Sequence, residues 1–101
     1  MRNVVIVTGG GRGIGAATAK LLAAKGYMVC VNYRSDAERA EATVHEIMQA
    51  GGRAFSFQAD VSDEGDVIAM FDATQRTFGV VTHLVNNAGM LLAQSGFADI
   101  D

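Results

Sequence analysis

This chain of 101 residues has no basic stretch, no apolar run of membrane-spanning length and no pair of cysteines. Its 8 Lys and Arg stand against 11 Asp and Glu, a net charge of −3. A nucleic-acid or anionic-membrane surface, whose affinity rests on Lys/Arg contacts, is therefore not expected. A bilayer span needs about 20 apolar residues in a row, and none occurs. Cys30 stands alone and can close no internal disulfide. Met1-Arg2-Asn3 leads straight into an apolar run, which leaves no room for a signal peptide. The expectation is a cytoplasmic protein. His45 and His83 have no clustered companions, so neither a metal site nor a catalytic triad is expected. No Gly-Lys-Ser/Thr occurs, which excludes a P-loop.

Half of the residues are hydrophobic, enough for a core, and the length suits one domain over 1–101. Apolar strand-like runs alternate with helical periods. The pattern predicts strands near 3–8, 28–32, 54–59 and 82–86, and helices near 14–25, 36–50 and 64–78. The first helix reads Ile14, Thr18, Leu21 and Leu22 along one face. Ser35 and Glu38 form a capping-box pattern before the second, whose buried stripe would be Ala37, Ala40, Val44, Ile47 and Met48. The third would bury Val67, Met70, Phe71, Thr74 and Phe78. Gly26, Gly51 and Gly79 follow the helices, where a chain reversal wants glycine. This βαβαβαβ rhythm predicts a parallel sheet with helices on both faces.

The chemistry concentrates where the first strand ends. Thr8-Gly9-Gly10-Gly11-Arg12-Gly13-Ile14-Gly15 follows Val4-Val5-Ile6-Val7 and opens a helix. Backbone N–H groups at such a helix start, with the helix dipole, attract phosphate. Glycine lets the backbone approach a pyrophosphate without a Cβ in the way. Gly9, Gly13 and Gly15 give G-x-x-x-G-x-G; Gly11, Gly13 and Ala16 give a formal G-x-G-x-x-A. The first register fits better, because the strand ends at Thr8.

The end of the second strand would read the adenosine ribose. An acidic residue there suits the 2′-hydroxyl of NAD, and arginine a 2′-phosphate. The chain has Asn32-Tyr33-Arg34-Ser35, with no carboxylate until Asp36. Arg12 and Arg34 could converge on one phosphate by charge-assisted bonds, with Ser35 as a further donor; the alternative is two solvated loop cations. Asp36, if turned inward, would favour NAD. Asp60-Val61 and Asn86-Asn87-Ala88-Gly89 end the third and fourth strands, where open α/β sheets bind ligands. Asp60 could equally be a loop-end residue or an N-cap neighbour of Ser62, and Asn86 could simply satisfy backbone groups.

Taken together, Thr8 to Gly15, Asp60-Val61 and Asn86-Asn87-Ala88-Gly89, in this order and spacing, resemble the N-terminal part of the short-chain dehydrogenase/reductase family. The likeness is to its ketoacyl-reductase-like and sugar-dehydrogenase-like members. It implies a Rossmann-type, doubly wound α/β sheet of order 3-2-1-4, incomplete on the side of the fourth strand. It implies an NADP(H)-dependent oxidoreductase interconverting a carbonyl and a secondary alcohol, NADP(H) being favoured over NAD(H) by Arg12 and the missing acid. The glycine loop, with Gly9, Gly11, Arg12, Gly13, Ile14 and Gly15, would hold the pyrophosphate. Asn32, Tyr33, Arg34 and Ser35 would form the 2′-phosphate corner. Asp60 would bond the adenine amino group and Val61 pack on the adenine. Asn87, Ala88 and Gly89 would line the nicotinamide-side ribose, while Asn86 braces the sheet.

The resemblance also exposes an absence. The family's chemistry uses a Ser and a Tyr-x-x-x-Lys beyond the Asn-Asn-Ala-Gly turn. The tyrosines here are Tyr27 and Tyr33, followed four residues on by Val31 and Ala37. No catalytic residue is assigned, and 1–101 alone is expected to bind coenzyme without turning over substrate. The alternative from another class is a non-catalytic NADP-binding module or sensor. The implied partners are a small carbonyl or alcohol substrate and, for a full-length form, further copies in a dimer or tetramer. Cys30 reads as a small buried apolar group. Met90, Leu91 and Leu92 would want covering structure, without which the fourth strand leaves an apolar patch and an open edge.

Overall fold

The computed structural model describes residues 3–87. Strands β1 (Val4–Thr8), β2 (Met28–Tyr33), β3 (Arg53–Gln58) and β4 (His83–Asn86) alternate with helices α1 (Gly13–Ala24), α2 (Ala37–Gln49) and α3 (Glu64–Phe78). The strands form one parallel sheet of order β3-β2-β1-β4. The expected fold class and strand order are thus observed. Ala88, Gly89 and Met90 to Leu92, for which the sequence raised expectations, lie outside the described residues.

The two inner strands are apolar throughout because both their faces are covered. Every β1 residue is buried, as are Met28 to Asn32 of β2. Val5, Val7, Val29 and Val31 point to one face, where α1 and α2 cover them with Ala19, Ala23, Ala40, Val44 and Ile47. Ile6, Cys30 and Leu84 point to the other, against Met70 and Phe71 of α3, with Phe55 and Phe57 alongside. This period-two split is the physical content of a doubly wound sheet.

The apolar residues of α1 are partly outward, and the expected stripe of α2 is corrected. Ile14 is 77% and Leu21 59% exposed, while α1 buries Gly15, Ala19 and Ala23 and packs Leu22 partly against that core. Gly15 sits against the Gly9 carbonyl with no room for a Cβ, so the inward face there carries a small residue. On α2, Thr43 joins Ala40, Val44 and Ile47 inside, while Ala37 is exposed and Met48 is 58% exposed. On α3, Met70 and Thr74 are buried and Val67, Phe71 and Phe78 half-buried.

Caps set the helix ends. Asp36, not Ser35, starts α2: its carboxylate accepts from the Arg39 N–H at 3.2 Å and also pairs with the Arg39 side chain at 3.2 Å. The two residues are adjacent cap formers, and the carboxylate, which also suits the helix dipole, takes the position. Asp63 caps α3 by accepting from Gly65 and Asp66 N–H groups at 2.8 and 3.2 Å. After α1, the N–H groups of Gly26 and Tyr27 return to the carbonyls of Ala23 and Leu22, a Schellman ending that requires the positive φ of Gly26, 98°. Gly51 and Gly52 repeat it after α2.

Parallel strands in register bring their carboxyl ends to one edge. Thr8 lies opposite Asn86, and Tyr33 opposite Gln58. The segments 9–15, 33–36, 59–63 and 87 all leave from that edge.

Candidate functional site

The glycine turn has the geometry that the first register predicts. Gly9 has φ 63° and Gly13 φ 49°, the left-handed region that residues with a Cβ avoid. At Gly15 a Cβ would lie 2.0 Å from the Gly9 carbonyl oxygen. The turn can close only because that atom is missing. Gly11 is buried with its α-carbon against Ala40 of α2, where a Cβ would meet the Ala40 nitrogen at 3.0 Å.

The start of α1 differs from the other two helices in chemistry. Asp36 and Asp63 cap α2 and α3, and both helices carry acid in their first turns. At α1 the N-cap position is Arg12, extended at φ −140°, ψ 148°; no side chain caps the helix and no acid stands in its first turn. Arg12, Gly13 and Ile14 are exposed. Among the described residues, this is the one helix start with neither a side-chain cap nor an acid in its first turn, and an arginine stands beside it.

At the β2 corner, Tyr33 is half-buried against the α1/α2 core, and Arg34 and Ser35 are exposed. Arg34 Nη2 lies 3.7 Å from Asp60 Oδ2, with 79% of its side chain exposed, a loose surface pair. Asp36 is occupied as the α2 cap. The Gln58 amide donates to the Arg34 carbonyl at 3.1 Å and holds the corner against β3.

Asp60 opens the loop after β3. Its Oδ1 accepts from the Ser62 N–H at 2.9 Å and the Ser62 hydroxyl at 2.6 Å. The two Ser62 bonds hold its carboxyl below the usual aspartate range against the cost of desolvation, and the Arg34 charge adds the least. The Asp60 N–H donates to Asp66 of α3 at 2.9 Å. The loop is therefore pinned from behind, with Asp60 Oδ2 facing the Arg34 corner.

Val61 lines an open hollow of about 290 Å³, solvent space included, with Thr8, Val67, Met70, Phe71, Leu84 and Asn86. Thr8 Oγ1 lies 3.0 Å from Asn86 Oδ1 and 3.3 Å from the Val85 carbonyl, so Asn86 is tied to β1. Asn87 follows, exposed. Asn32 behaves unlike its corner neighbours. It is 2% exposed, and its side chain is engaged by Gly9, Phe57 and Ala59.

Ser62 is expected from the sequence as a helix cap beside Asp60, but Asp63 takes the cap and Ser62 instead bonds the Asp60 carboxylate. Sequence reasoning missed Asp66, which is marked by nothing beyond its place in a helix's first turn. Among the described residues, no group of three His, Cys, Asp or Glu side chains could hold a metal, and no helix is long and apolar enough to cross a membrane.

Comparison with known proteins places this geometry in context. The family model for short chain dehydrogenase matches residues 3–101. The uncharacterized oxidoreductase YgfF of Escherichia coli K12 is 52% identical over 91 residues, which are 90% of this chain and 37% of that protein. The short-chain dehydrogenase/reductase homolog YusS of Bacillus subtilis 168 is 48% identical over 90 residues, 89% of this chain and 83% of that protein. Among solved structures, a dehydrogenase/reductase from Sinorhizobium meliloti 1021 superposes with a TM-score of 0.84 at 47% identity, over 86% of this chain and 34% of that one. The chain thus spans about a third of the length of the Escherichia coli and Sinorhizobium proteins and most of the Bacillus one.

Proposed function

The chain belongs to the short-chain dehydrogenase/reductase family, and from that premise we propose that residues 1–101 form the coenzyme-binding part of an NADP(H)-dependent oxidoreductase. The observation that carries the reading is the uncapped α1 start, reached through a turn that closes only without a Cβ at Gly15 and flanked by Arg12. That cradle fits a pyrophosphate. Gly9, Gly11, Gly13, Ile14 and Gly15 would surround it. Arg12, Arg34 and Ser35 would take the 2′-phosphate, Tyr33 walling the corner. Asp60 would accept from the adenine amino group, Val61 would pack on the ring, and Asn87 with Ala88 and Gly89 would reach the nicotinamide-side ribose.

The coenzyme, when bound, supplies the redox chemistry; the chain's own residues bind and orient it. The reaction proposed for the whole protein is interconversion of a small carbonyl compound and its secondary alcohol, in a cytoplasmic dimer or tetramer. No residue in 1–101 is assigned to proton transfer, so this segment alone is proposed to be inactive.

The loose Arg34–Asp60 pair supports the choice of coenzyme. At 3.7 Å and largely solvated, it leaves Arg34 free to turn to a phosphate at little cost. Titration of the chain with NADPH and NADH, followed by calorimetry, tests this. NADPH binds more tightly, and Arg34→Ala loses about 1.5–3 kcal/mol of NADPH affinity, roughly tenfold or more. Equal affinities in the native chain, or an unchanged preference in the variant, contradict it.

A further inference from the structure

We propose that Asn32 is a positioning residue for the coenzyme site: it meets no ligand itself but ties the phosphate-facing turn to the adenine-facing loop. The proposal rests on the reading of 9–15 and 60–61 as a dinucleotide site. Asn32 Oδ1 accepts from the Gly9 N–H at 3.2 Å. Its Nδ2 donates toward the carbonyls of Ala59 at 3.2 Å, Phe57 at 3.3 Å and Tyr33 at 3.4 Å. Its own carbonyl accepts from the Gly10 N–H at 2.9 Å.

Gly9 is the first residue of the turn, and Ala59 directly precedes Asp60. Two loops that must face one ligand are therefore joined through a single buried side chain. The partners fix the orientation of the amide, since an N–H requires the oxygen and carbonyls require the nitrogen. Few side chains could replace it. A carboxylate accepts from Gly9 but cannot donate to Ala59 and Phe57, and it sets a negative charge against their oxygens. A hydroxyl is too short to span both loops. An apolar residue leaves the Gly9 N–H and the three carbonyls without these partners in a largely buried setting, where such losses are costly.

Its engagement also separates Asn32 from Arg34 and Ser35. A side chain 2% exposed, with both polar atoms bonded to the backbone, acts on the ligand through Gly9 and Ala59. Its removal therefore weakens every dinucleotide equally, whereas loss of a 2′-phosphate contact weakens NADP(H) alone.

The test compares the native chain with Asn32→Ala and the nearly isosteric Asn32→Asp. Calorimetry gives Kd for NADPH and for NADH, and amide hydrogen exchange by NMR reads Gly9, both well below the melting temperature. The expected result is a Kd raised about tenfold for both coenzymes with their ratio unchanged, and faster Gly9 exchange in Asn32→Ala. Asn32→Asp retains the Gly9 bond and loses the donors, so it reads the Ala59 side of the tie if the alanine variant does not fold. A ratio that falls toward one overturns the proposal, because Asn32 would then contact the 2′-phosphate. Affinities equal to the native values in a folded variant also overturn it, because the bonds would then serve stability alone. A native chain that binds neither coenzyme refutes the dinucleotide reading instead, while Gly9 exchange still reports whether the tie exists.

Discussion

Gly15→Ala is the sharpest perturbation of the glycine turn. The added methyl would sit 2.0 Å from the Gly9 carbonyl oxygen, 2.8 Å from its carbon and 3.1 Å from Gly10 Cα. The 2.0 Å contact alone is roughly 1 Å inside any separation that close packing tolerates. The crowded atoms are backbone, and the Gly9 N–H is already held by Asn32, so no side-chain rotation relieves the contact. In an unobstructed helix the change from glycine to alanine gains about 0.5–1 kcal/mol. Overpacking of this kind costs about 1–3 kcal/mol, occasionally more. The clash wins, and a net loss of about 2 kcal/mol is expected, which lowers the melting temperature by roughly 10 °C in a domain of this size. Gly65→Ala is the internal control. Gly65 lies in the first turn of α3, and its added methyl would meet only the tip of Asp63, at 3.3 Å. The same substitution there should raise stability by up to about 1 kcal/mol. Thermal and urea denaturation of the two variants, with NADPH titration of each, gives the answer. A Gly15→Ala chain as stable as the Gly65→Ala one, with native affinity, refutes the argument that the turn depends on a missing Cβ.

Other groups yield further expectations. Burial pushes the Cys30 thiol up to about 12, with a Thr74 hydrogen bond pulling it partway back. Cys30 should therefore resist thiol reagents at pH 8 until the chain unfolds, and reaction at the rate of an exposed thiol in the folded state would contradict its placement. Because this folded value is raised, its stabilising share is complete below the unfolded value near 9.0 and is lost as pH climbs toward about 12. Asp60 has the opposite sign. Its folded value is depressed, so its contribution is complete above the ordinary aspartate value and is lost as pH falls through the depressed one. Asp60→Asn should flatten the acid limb of a stability-against-pH curve, and an unchanged limb would show that the Ser62 bonds do not favour the charged form. Arg34→Ala should lower NADPH affinity with little change for NADH, read by the same calorimetry.

Much of this fold was legible because its signals are local. β1 and β2 are continuous apolar runs, the mark of strands covered on both faces, and glycines punctuate the ends of α1 and α2. The glycine turn was legible for the same reason, since Gly9, Gly13 and Gly15 each answer a backbone demand. What was not legible depends on distances between elements. Ile14 and Leu21 look like an apolar face, yet the face α1 turns inward is the one that carries Gly15, Ala19 and Ala23. Ser35 and Asp36 are adjacent cap formers, and only the start of α2 chooses between them. Asn32 reads as a polar residue at a ligand-facing strand end, yet its partners come from Gly9 and Ala59, 23 and 27 residues away. Asp66 is similarly silent until α3 folds back to hold the Asp60 N–H.

The proposed coenzyme site is the edge where 9–15, 33–36 and 59–63 converge. An NMR titration of the isotopically labelled chain with NADP⁺ maps that place residue by residue. Saturable shifts are expected, concentrated in the amides of Gly9 to Gly15, with Arg34, Ser35, Asp60 and Val61 following at the same ligand concentrations. Shifts centred elsewhere, or a spectrum unchanged at millimolar NADP⁺, would contradict it.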